Sequence, residues 1–106
     1  MQRNEKVANN IKELSAQFLG RENNRTSLIT VTSATVSPDL KKATIFITVL
    51  PTSKEKNALD FVKRQRGDLR EFLKKSMPIK VIPFIDVEID EGEKNRQKID
   101  ELLRAK

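Results

Sequence analysis

Two apolar segments joined by a short turn constrain the fold of this chain more than any other feature. Residues 28–36 and 43–50 are rich in Ile, Val, Thr and Phe, whose side chains suit a pleated surface. Residues 37–40 (Ser-Pro-Asp-Leu) separate them, and proline presets φ for a turn while aspartate can bond its own backbone. Strands joined by so short a connection pair antiparallel. The sequence therefore predicts a β-hairpin, with Ala43, Ile45, Ile47 and Val49 on one face of its second strand.

Helical periodicity on either side of the hairpin predicts three helical segments. In residues 5–19 the apolar positions recur every three or four residues, and Gly20 follows as the expected stop; these positions are Val7, Ile11, Leu14 and Phe18. Thr52 and Glu55 have the spacing of a capping box, which predicts a helix from there to about residue 66. We expect Gly67 to interrupt that helix and Asp68 to cap the next one, which ends before Pro78. The prediction is two helices that meet at a kink at Gly67, burying Ala58, Leu59, Val62, Leu69, Phe72 and Leu73.

The C-terminal third predicts one more strand and one more helix. Residues 79–89 alternate in the manner of a strand, and Pro83 places that strand at an edge or bulge because proline cannot donate to a ladder. Asp90 begins a capping signal for a final helix at about 91–104, packed on the domain or extending from it. Its narrow apolar stripe consists of Ile99, Leu102 and Leu103. The expected fold class is α+β, one domain spanning 1–106 with the order α-β-β-α-kink-α-β-α.

Composition excludes several classes of function. The chain has 106 residues, a net charge of +6, and neither Cys nor His. Disulfide scaffolds, thiolate zinc sites and cysteine nucleophiles are therefore excluded, and the commonest general base is missing. Without a P-loop or GxGxxG motif we expect no catalytic residues, no cofactor and no small-molecule substrate. No apolar run approaches the ~20 residues that span a bilayer, so we expect a soluble, cytoplasmic and monomeric domain that does not bind membranes.

Five carboxylates close together are the one candidate for metal binding. Asp86, Glu88, Asp90, Glu91 and Glu93 fall in residues 84–93, and hard cations such as Mg²⁺ or Ca²⁺ take oxygen ligands. The alternative is a solvated strand face followed by a helix N-terminus, where negative charge is favourable. We favour this alternative and predict no metal site.

Basic side chains concentrate in residues 59–83, which carry seven Lys or Arg against three Asp or Glu. At helical spacing Lys63, Arg66, Arg70 and Lys74 form one stripe, thickened by Arg64, Lys75 and Lys80. An ordinary solvated helix face is the alternative. The stripe has few acidic residues at pairing distance along the helix, and this favours a polyanion as partner. The predicted RNA-binding residues are Lys41, Lys42, Lys63, Arg64, Arg66, Arg70, Lys74 and Lys75.

The form of RNA can also be predicted from composition. There is no Trp or Tyr, and we expect most of the five Phe to be buried. This argues against base stacking on single strands and favours recognition of structured RNA by its backbone and shape.

The element order resembles the type II KH-like fold of RNA-binding proteins. Such domains usually grip RNA through a Gly-x-x-Gly loop between the two central helices, whereas residues 63–68 here contain one glycine. The chain is more specifically similar to the bacterial ribosome-binding factor A family across about residues 5–104. The resemblance rests on the segments at 6–8, 30–43, 72–83 and 90–103, which include Thr-Val-Thr at 30–32 and Val-Ser-Pro-Asp-Leu-Lys-Lys-Ala at 36–43.

Two positions depart from the pattern of that family. Gln65 stands where the kink usually has Ala, and in the first loop only Arg25 remains of the usual Asp-Pro-Arg. The resemblance implies a non-enzymatic factor that binds 16S rRNA and the free, immature 30S subunit, assists rRNA processing and supports growth in the cold. It also implies that Arg66, Arg70 and Lys74 face the RNA. The alternative is a protein–protein interaction module that accepts a partner strand at the edge strand 79–89.

Overall fold

One mixed sheet with helices on one face organises the chain, and the computed structural model describes residues 3–21, 27–78 and 81–104. Its elements confirm the α+β class and the predicted order. In sequence they are α1 (Arg3–Arg21), β1 (Leu28–Val36), β2 (Lys42–Leu50), a short 3₁₀ turn (Thr52–Lys54), α2 (Glu55–Arg64), α3 (Arg66–Ser76), β3 (Phe84–Ile89) and α4 (Glu91–Arg104).

The predicted hairpin forms the antiparallel half of the sheet. β1 pairs with β2 from Leu28 opposite Leu50 to Val36 opposite Ala43, with a bulge at Thr32. β3 lies on the other side of β2 and runs parallel to it, so β2 is central and β3 is an edge strand of the described sheet. The bulge adds one residue to β1 and thereby keeps its apolar side chains on the same face as those of β2.

The core lies between that face and the first three helices. The four residues predicted to share one face of β2 are all buried, as are Ile85 and Val87 of β3. α1, α2 and α3 cover them with apolar side chains at helical spacing, including Ile11, Val62, Leu69 and Leu73, all without exposed surface. Burying one such side chain contributes roughly 1.5–3 kcal/mol relative to leaving it in water.

The helix boundaries differ from the sequence prediction. α1 continues through Gly20 to Arg21. The capping box at Thr52 does not form, because no side chain caps the 3₁₀ turn or α2. The break between α2 and α3 falls at Gln65 (φ −87°, ψ 0°), so the prediction of a kink at Gly67 is wrong by two residues. Gly67 lies in the first turn of α3 with a negative φ, and Asp68 follows it there without acting as the cap.

The third strand is shorter than predicted. It begins at Phe84. Before that residue the predicted alternation fails, because the neighbours Ile82 and Pro83 are both buried and Val81 is 75% exposed. Residues 79 and 80 lie outside the described residues, and so do residues 22–26 of the first loop. Asp90 does cap α4 as predicted, since its Oδ1 accepts from the amide of Glu93 at 3.0 Å. The three residues of the predicted apolar stripe of α4, Ile99, Leu102 and Leu103, are all exposed.

Candidate nucleic-acid interface

The predicted basic residues fall into three groups in the structure. Arg66, Arg70 and Lys74 follow one another at four-residue spacing along α3. Lys41 and Lys42 stand at the end of the hairpin turn, and both are exposed. The third group, also exposed, consists of Lys63 and Arg64 in the last turn of α2 and Lys75 on α3.

Arg70 binds protein atoms at the entry to β3. Its Nη2 donates to the carbonyl oxygen of Ile82 at 2.8 Å, and its Nε donates to that of Pro83 at 3.3 Å. A planar guanidinium directs donors from two different nitrogens at adjacent carbonyls, whereas a lysine ammonium has one nitrogen and cannot reproduce this fixed fork. Arg70 therefore holds the segment that leads into β3, in addition to contributing positive charge.

Arg66 is also engaged with the edge strand. Its Nη1 lies 3.3 Å from Oδ1 of Asp86, and its Nε donates to the carbonyl oxygen of Lys63 at 3.1 Å. The two side chains of the ion pair are 38% and 46% exposed, and pairs this exposed contribute about 0–1 kcal/mol. The prediction concerned acidic residues along the same helix, whereas the partner of Arg66, Asp86, comes from β3.

A groove brings Lys41 and Arg70 together although 29 positions separate them in the sequence. It has a volume of about 490 Å³ and lies between the hairpin turn, α3 and the segment before β3. We call it the Phe84 groove; its lining residues are Asp39, Leu40, Lys41, Arg70, Val81, Ile82 and Phe84. A smaller depression of about 140 Å³ shares Arg70, Val81 and Ile82 with it and adds Glu71 and Lys74. Three of the predicted cations thus border one continuous surface.

The hairpin turn is ordered by its own side chains. Asp39 accepts from the Ser37 hydroxyl at 2.6 Å and from the Lys41 amide at 3.1 Å. Both hydrogen bonds lower the pKa of Asp39 below its ordinary value, and the bond from Ser37 has the larger effect. Leu40 adopts a left-handed backbone (φ 61°), which costs roughly 1–2 kcal/mol for a residue with a Cβ. The turn therefore places Lys41 in a fixed backbone position beside the groove.

Phe84 is the functional candidate that sequence reasoning missed. Its ring is 57% exposed, and the guanidinium carbon of Arg66 lies over it, 5.9 Å from its centre. The Phe84 amide donates to the carbonyl oxygen of Lys41 at 2.9 Å, and Lys42 is its partner in the ladder. Phe18 is buried, and Phe46, Phe61 and Phe72 are partly buried. Phe84 therefore offers an accessible aromatic ring, which the composition did not lead us to expect. Pro83 was the available signal, because proline marks the start of a strand and β3 begins directly after it.

The predicted lysines make no ion pair among the described residues, although the charge of Lys41 helps to lower the pKa of Asp39, which lines the same groove. Among residues 3–21, 27–78 and 81–104, no carboxylate lies within ion-pair distance of Lys41, Lys42 or Lys74. The same holds for Lys63, Arg64 and Lys75. Of these six cations, Lys41 lines the Phe84 groove and Lys74 lines the smaller depression beside it. Unpaired cations can neutralise phosphate charge without first breaking an ion pair.

Three of the five carboxylates in residues 84–93, those of Asp86, Asp90 and Glu93, make close contacts within the protein. Asp86 pairs with Arg66, Glu93 with Arg96, and Lys94 joins α4 to Glu55 of α2 at 3.1 Å. Asp90 accepts from the Thr32 hydroxyl at 2.5 Å and from the Glu93 amide, and these bonds lower its pKa. In the described part of the chain no three such residues converge as metal ligands.

The predicted alternative, addition of a partner strand, can also be compared with the structure. The edge strand proposed to accept a partner covers Phe84–Ile89 rather than 79–89, and Arg70 occupies the carbonyls that precede it. Strand addition there is restricted to the remaining residues of β3. Among the described residues, no helix is both long enough and apolar enough to cross a bilayer.

Comparison with known proteins gives consistent matches. A family model described as ribosome-binding factor A matches residues 3–103. Ribosome-binding factor A of Coxiella burnetii is 30% identical over 104 residues, covering 96% of this chain and 87% of that protein.

Solved structures share the fold. The crystal structure of ribosome-binding factor A from Thermus thermophilus superposes with a TM-score of 0.74 at 16% identity, covering 83% of this chain and 97% of that one. A homology model of the Thermus thermophilus factor, as fitted into a cryo-EM map of its complex with the 30S subunit, gives a TM-score of 0.69 at 17% identity. That match covers 76% of this chain and 88% of the other.

Proposed function

This chain belongs to the ribosome-binding factor A family, and we propose that it binds the small ribosomal subunit through the surface around the Phe84 groove. The observation that carries this proposal is the convergence of Lys41, Arg70 and Lys74 from two distant segments of the chain on one surface. The 30S complex of the Thermus thermophilus relative supports the choice of partner. The ligand on that partner is 16S rRNA, since free lysines beside an open groove suit phosphates.

The factor acts by binding and has no catalytic step of its own in this proposal. Its side chains include neither His nor Cys, Asp90 caps α4, and Asp86 pairs with Arg66 at the edge of the described sheet. A protein of this kind assists maturation of the immature 30S subunit by stabilising one arrangement of the RNA. We propose that it does so as a monomer in the cytoplasm, with the greatest effect in the cold, where misfolded RNA rearranges slowly.

The direct test is co-sedimentation of the protein with free 30S subunits. Replacing both Lys41 and Lys74 with Glu changes the net charge from +6 to +2 at two exposed positions without ion pairs among the described residues. We expect this variant to lose co-sedimentation while its unfolding midpoint stays that of the parent protein. Arg66 and Arg70 are unsuitable for this test, because their replacement also removes contacts to β3.

A matched control separates the surface from the net charge. Replacing both Lys54 and Lys56 with Glu gives the same net charge at two exposed positions near the start of α2. We expect this control to co-sediment nearly as well as the parent. Equal losses for the two double variants would show that only overall charge matters and would contradict the assignment of the surface.

Salt dependence tests whether the lysines contact phosphate. For RNA binding the logarithm of the affinity falls with the logarithm of the salt concentration by roughly 0.7–0.9 per phosphate contacted. Replacing Lys41 with Gln should therefore reduce the steepness by about that amount. An unchanged slope would remove Lys41 from the interface.

A further inference from the structure

The exposed side chain of Phe84 lines the same groove as Lys41, Arg70 and one acidic residue, Asp39. An aromatic side chain that is 57% exposed beside Val81, itself 75% exposed, forms an apolar patch within a basic surface. Lys41 and Arg70 line the same groove, and Lys42 pairs with Phe84 in the ladder. The patch thus offers a flat apolar surface with positive charge on several sides.

Three features hold the ring in this position. The Phe84 amide is bonded to the carbonyl of Lys41 at 2.9 Å, and Arg70 fixes the carbonyls of Ile82 and Pro83 immediately before it. Ile85, the next residue, is buried in the core, so alternation along β3 directs Phe84 to the opposite face. The ring is therefore presented from a rigid strand rather than from a mobile loop.

We propose that Phe84 stacks against an unpaired base of the RNA while Lys41 and Lys74 contact the phosphates on either side of it. Base stacking on an aromatic ring needs one accessible face, and an adjacent guanidinium such as that of Arg66 strengthens the platform. Charge favours RNA over an apolar peptide as the occupant, since free ammonium groups next to the ring would have no partner on such a peptide. This inference rests on the proposed function and adds that the RNA is single-stranded where it meets the groove.

The test compares single-stranded and double-stranded RNA binding by Phe84 variants of the full chain. The probes are a short oligouridylate and an RNA duplex of the same length, each followed by fluorescence anisotropy at one ionic strength. We expect Phe84→Leu to weaken binding of the single strand by about 5-fold to 150-fold, the usual range for one base stacked on an aromatic ring. Duplex binding should change less than about 2-fold, and Phe84→Trp should restore the single strand, because every aromatic face can stack.

Leu28→Ala is the matched control for loss of exposed apolar surface. Leu28 is 56% exposed, but it pairs with Leu50 at the opposite end of β2 from Lys42, the partner of Phe84. Eight residues of strand separate the two ends, a distance of roughly 26 Å. We expect Leu28→Ala to bind both probes as the parent does, and urea unfolding of each variant establishes that it is folded.

The possible outcomes separate this inference from the proposed function. Equal weakening of both probes by Phe84→Leu would overturn stacking, because it would indicate a general contact. No effect on either probe, or a change only in self-association seen by size-exclusion chromatography, would also overturn it. In those cases loss of 30S binding by the Lys41 and Lys74 double variant would still support the proposed function.

Discussion

Replacing Arg70 with Lys keeps the charge of the groove but removes the two hydrogen bonds that hold the entry to β3. The guanidinium donates to the carbonyls of Ile82 and Pro83, two residues whose side chains are buried. Each such bond is worth roughly 0.5–1.5 kcal/mol net. The bond to Pro83 is long and Arg70 itself is exposed, so we expect a total loss of about 1–2 kcal/mol in the free energy of unfolding.

Urea unfolding of the variant measures this loss directly. For a domain of this size the dependence on urea is about 1–1.5 kcal/mol per molar, so the midpoint should fall by roughly 1 M with an unchanged slope. Lys74→Gln is the control, because it lies one turn further along α3 and bonds to no group in the described residues. Its midpoint should not move.

Urea unfolding and 30S co-sedimentation of Arg70→Lys together distinguish a structural arginine from a phosphate ligand. If Arg70→Lys is as stable as the parent protein, the two carbonyl contacts contribute nothing and the reasoning is wrong. If stability falls as expected, 30S binding should fall with it, since the carbonyls held by Arg70 immediately precede Phe84.

Two further predictions concern stability. Ser15 is fully buried, and its hydroxyl has no hydrogen-bond partner in the described structure. Ser15→Ala should therefore raise the free energy of unfolding, measured by urea titration, by about 1 kcal/mol. A loss of stability would show that the hydroxyl is satisfied. Asp90→Asn should destabilise at neutral pH but not in acid. The Thr32 and Glu93 hydrogen bonds lower the pKa of Asp90, so its carboxylate stabilises the fold above the unfolded value of about 3.8 and this contribution disappears as the pH falls through the lower folded value. The gap between the unfolding midpoints of parent and variant should therefore begin to narrow below pH ~4 and close below the folded pKa of Asp90, and a gap that does not narrow over that range would contradict the assignment.

The hairpin and the core could be predicted because they depend on local patterns. Strict alternation in β2 places Ala43, Ile45, Ile47 and Val49 on one face whatever the neighbouring elements are. The same reasoning found four buried positions of α2 and α3, since a helical stripe can be read from spacing alone; Leu59 and Phe72, also predicted to be buried, are only partly so. Apolar periodicity is enforced by burial, which explains why these predictions are confirmed.

The helix boundaries were less predictable because several residues compete to end a helix. Gly67 and Asp68 are suitable for a stop and a cap, yet the chain breaks at Gln65, whose amide bonds to the carbonyls of Phe61 and Val62. A Cβ at position 67 would meet no atom within 4 Å, and its φ is negative, so no local constraint demands glycine there. Propensity indicates that a break occurs nearby, whereas the packing of Val62 and Leu69 on the sheet determines its position.

The groove could not be predicted because it depends on how distant segments pair. Lys41 and Arg70 meet only because β3 runs parallel to β2 with Phe84 opposite Lys42. The alternation drawn through residues 79–89 treated Val81 and Ile85 as equivalent, although one is 75% exposed and the other buried. From Pro83 to Val87 buried and more exposed residues do alternate, so Phe84 lies on the solvent side, and the alternation fails only at Val81 and Ile82.

The positions of the arginines change how the positive charge of this chain should be interpreted. Arg66 and Arg70 extend across the free edge of β3, where one pairs with Asp86 and the other binds two backbone carbonyls. Charged side chains at a sheet edge disfavour the addition of a foreign strand. Two of the eight candidate cations are therefore engaged by the fold itself, and the charge available to RNA lies mainly on lysines. Because the same two arginines also fix the strand that presents Phe84, stability of the sheet edge and the shape of the proposed RNA surface depend on the same contacts.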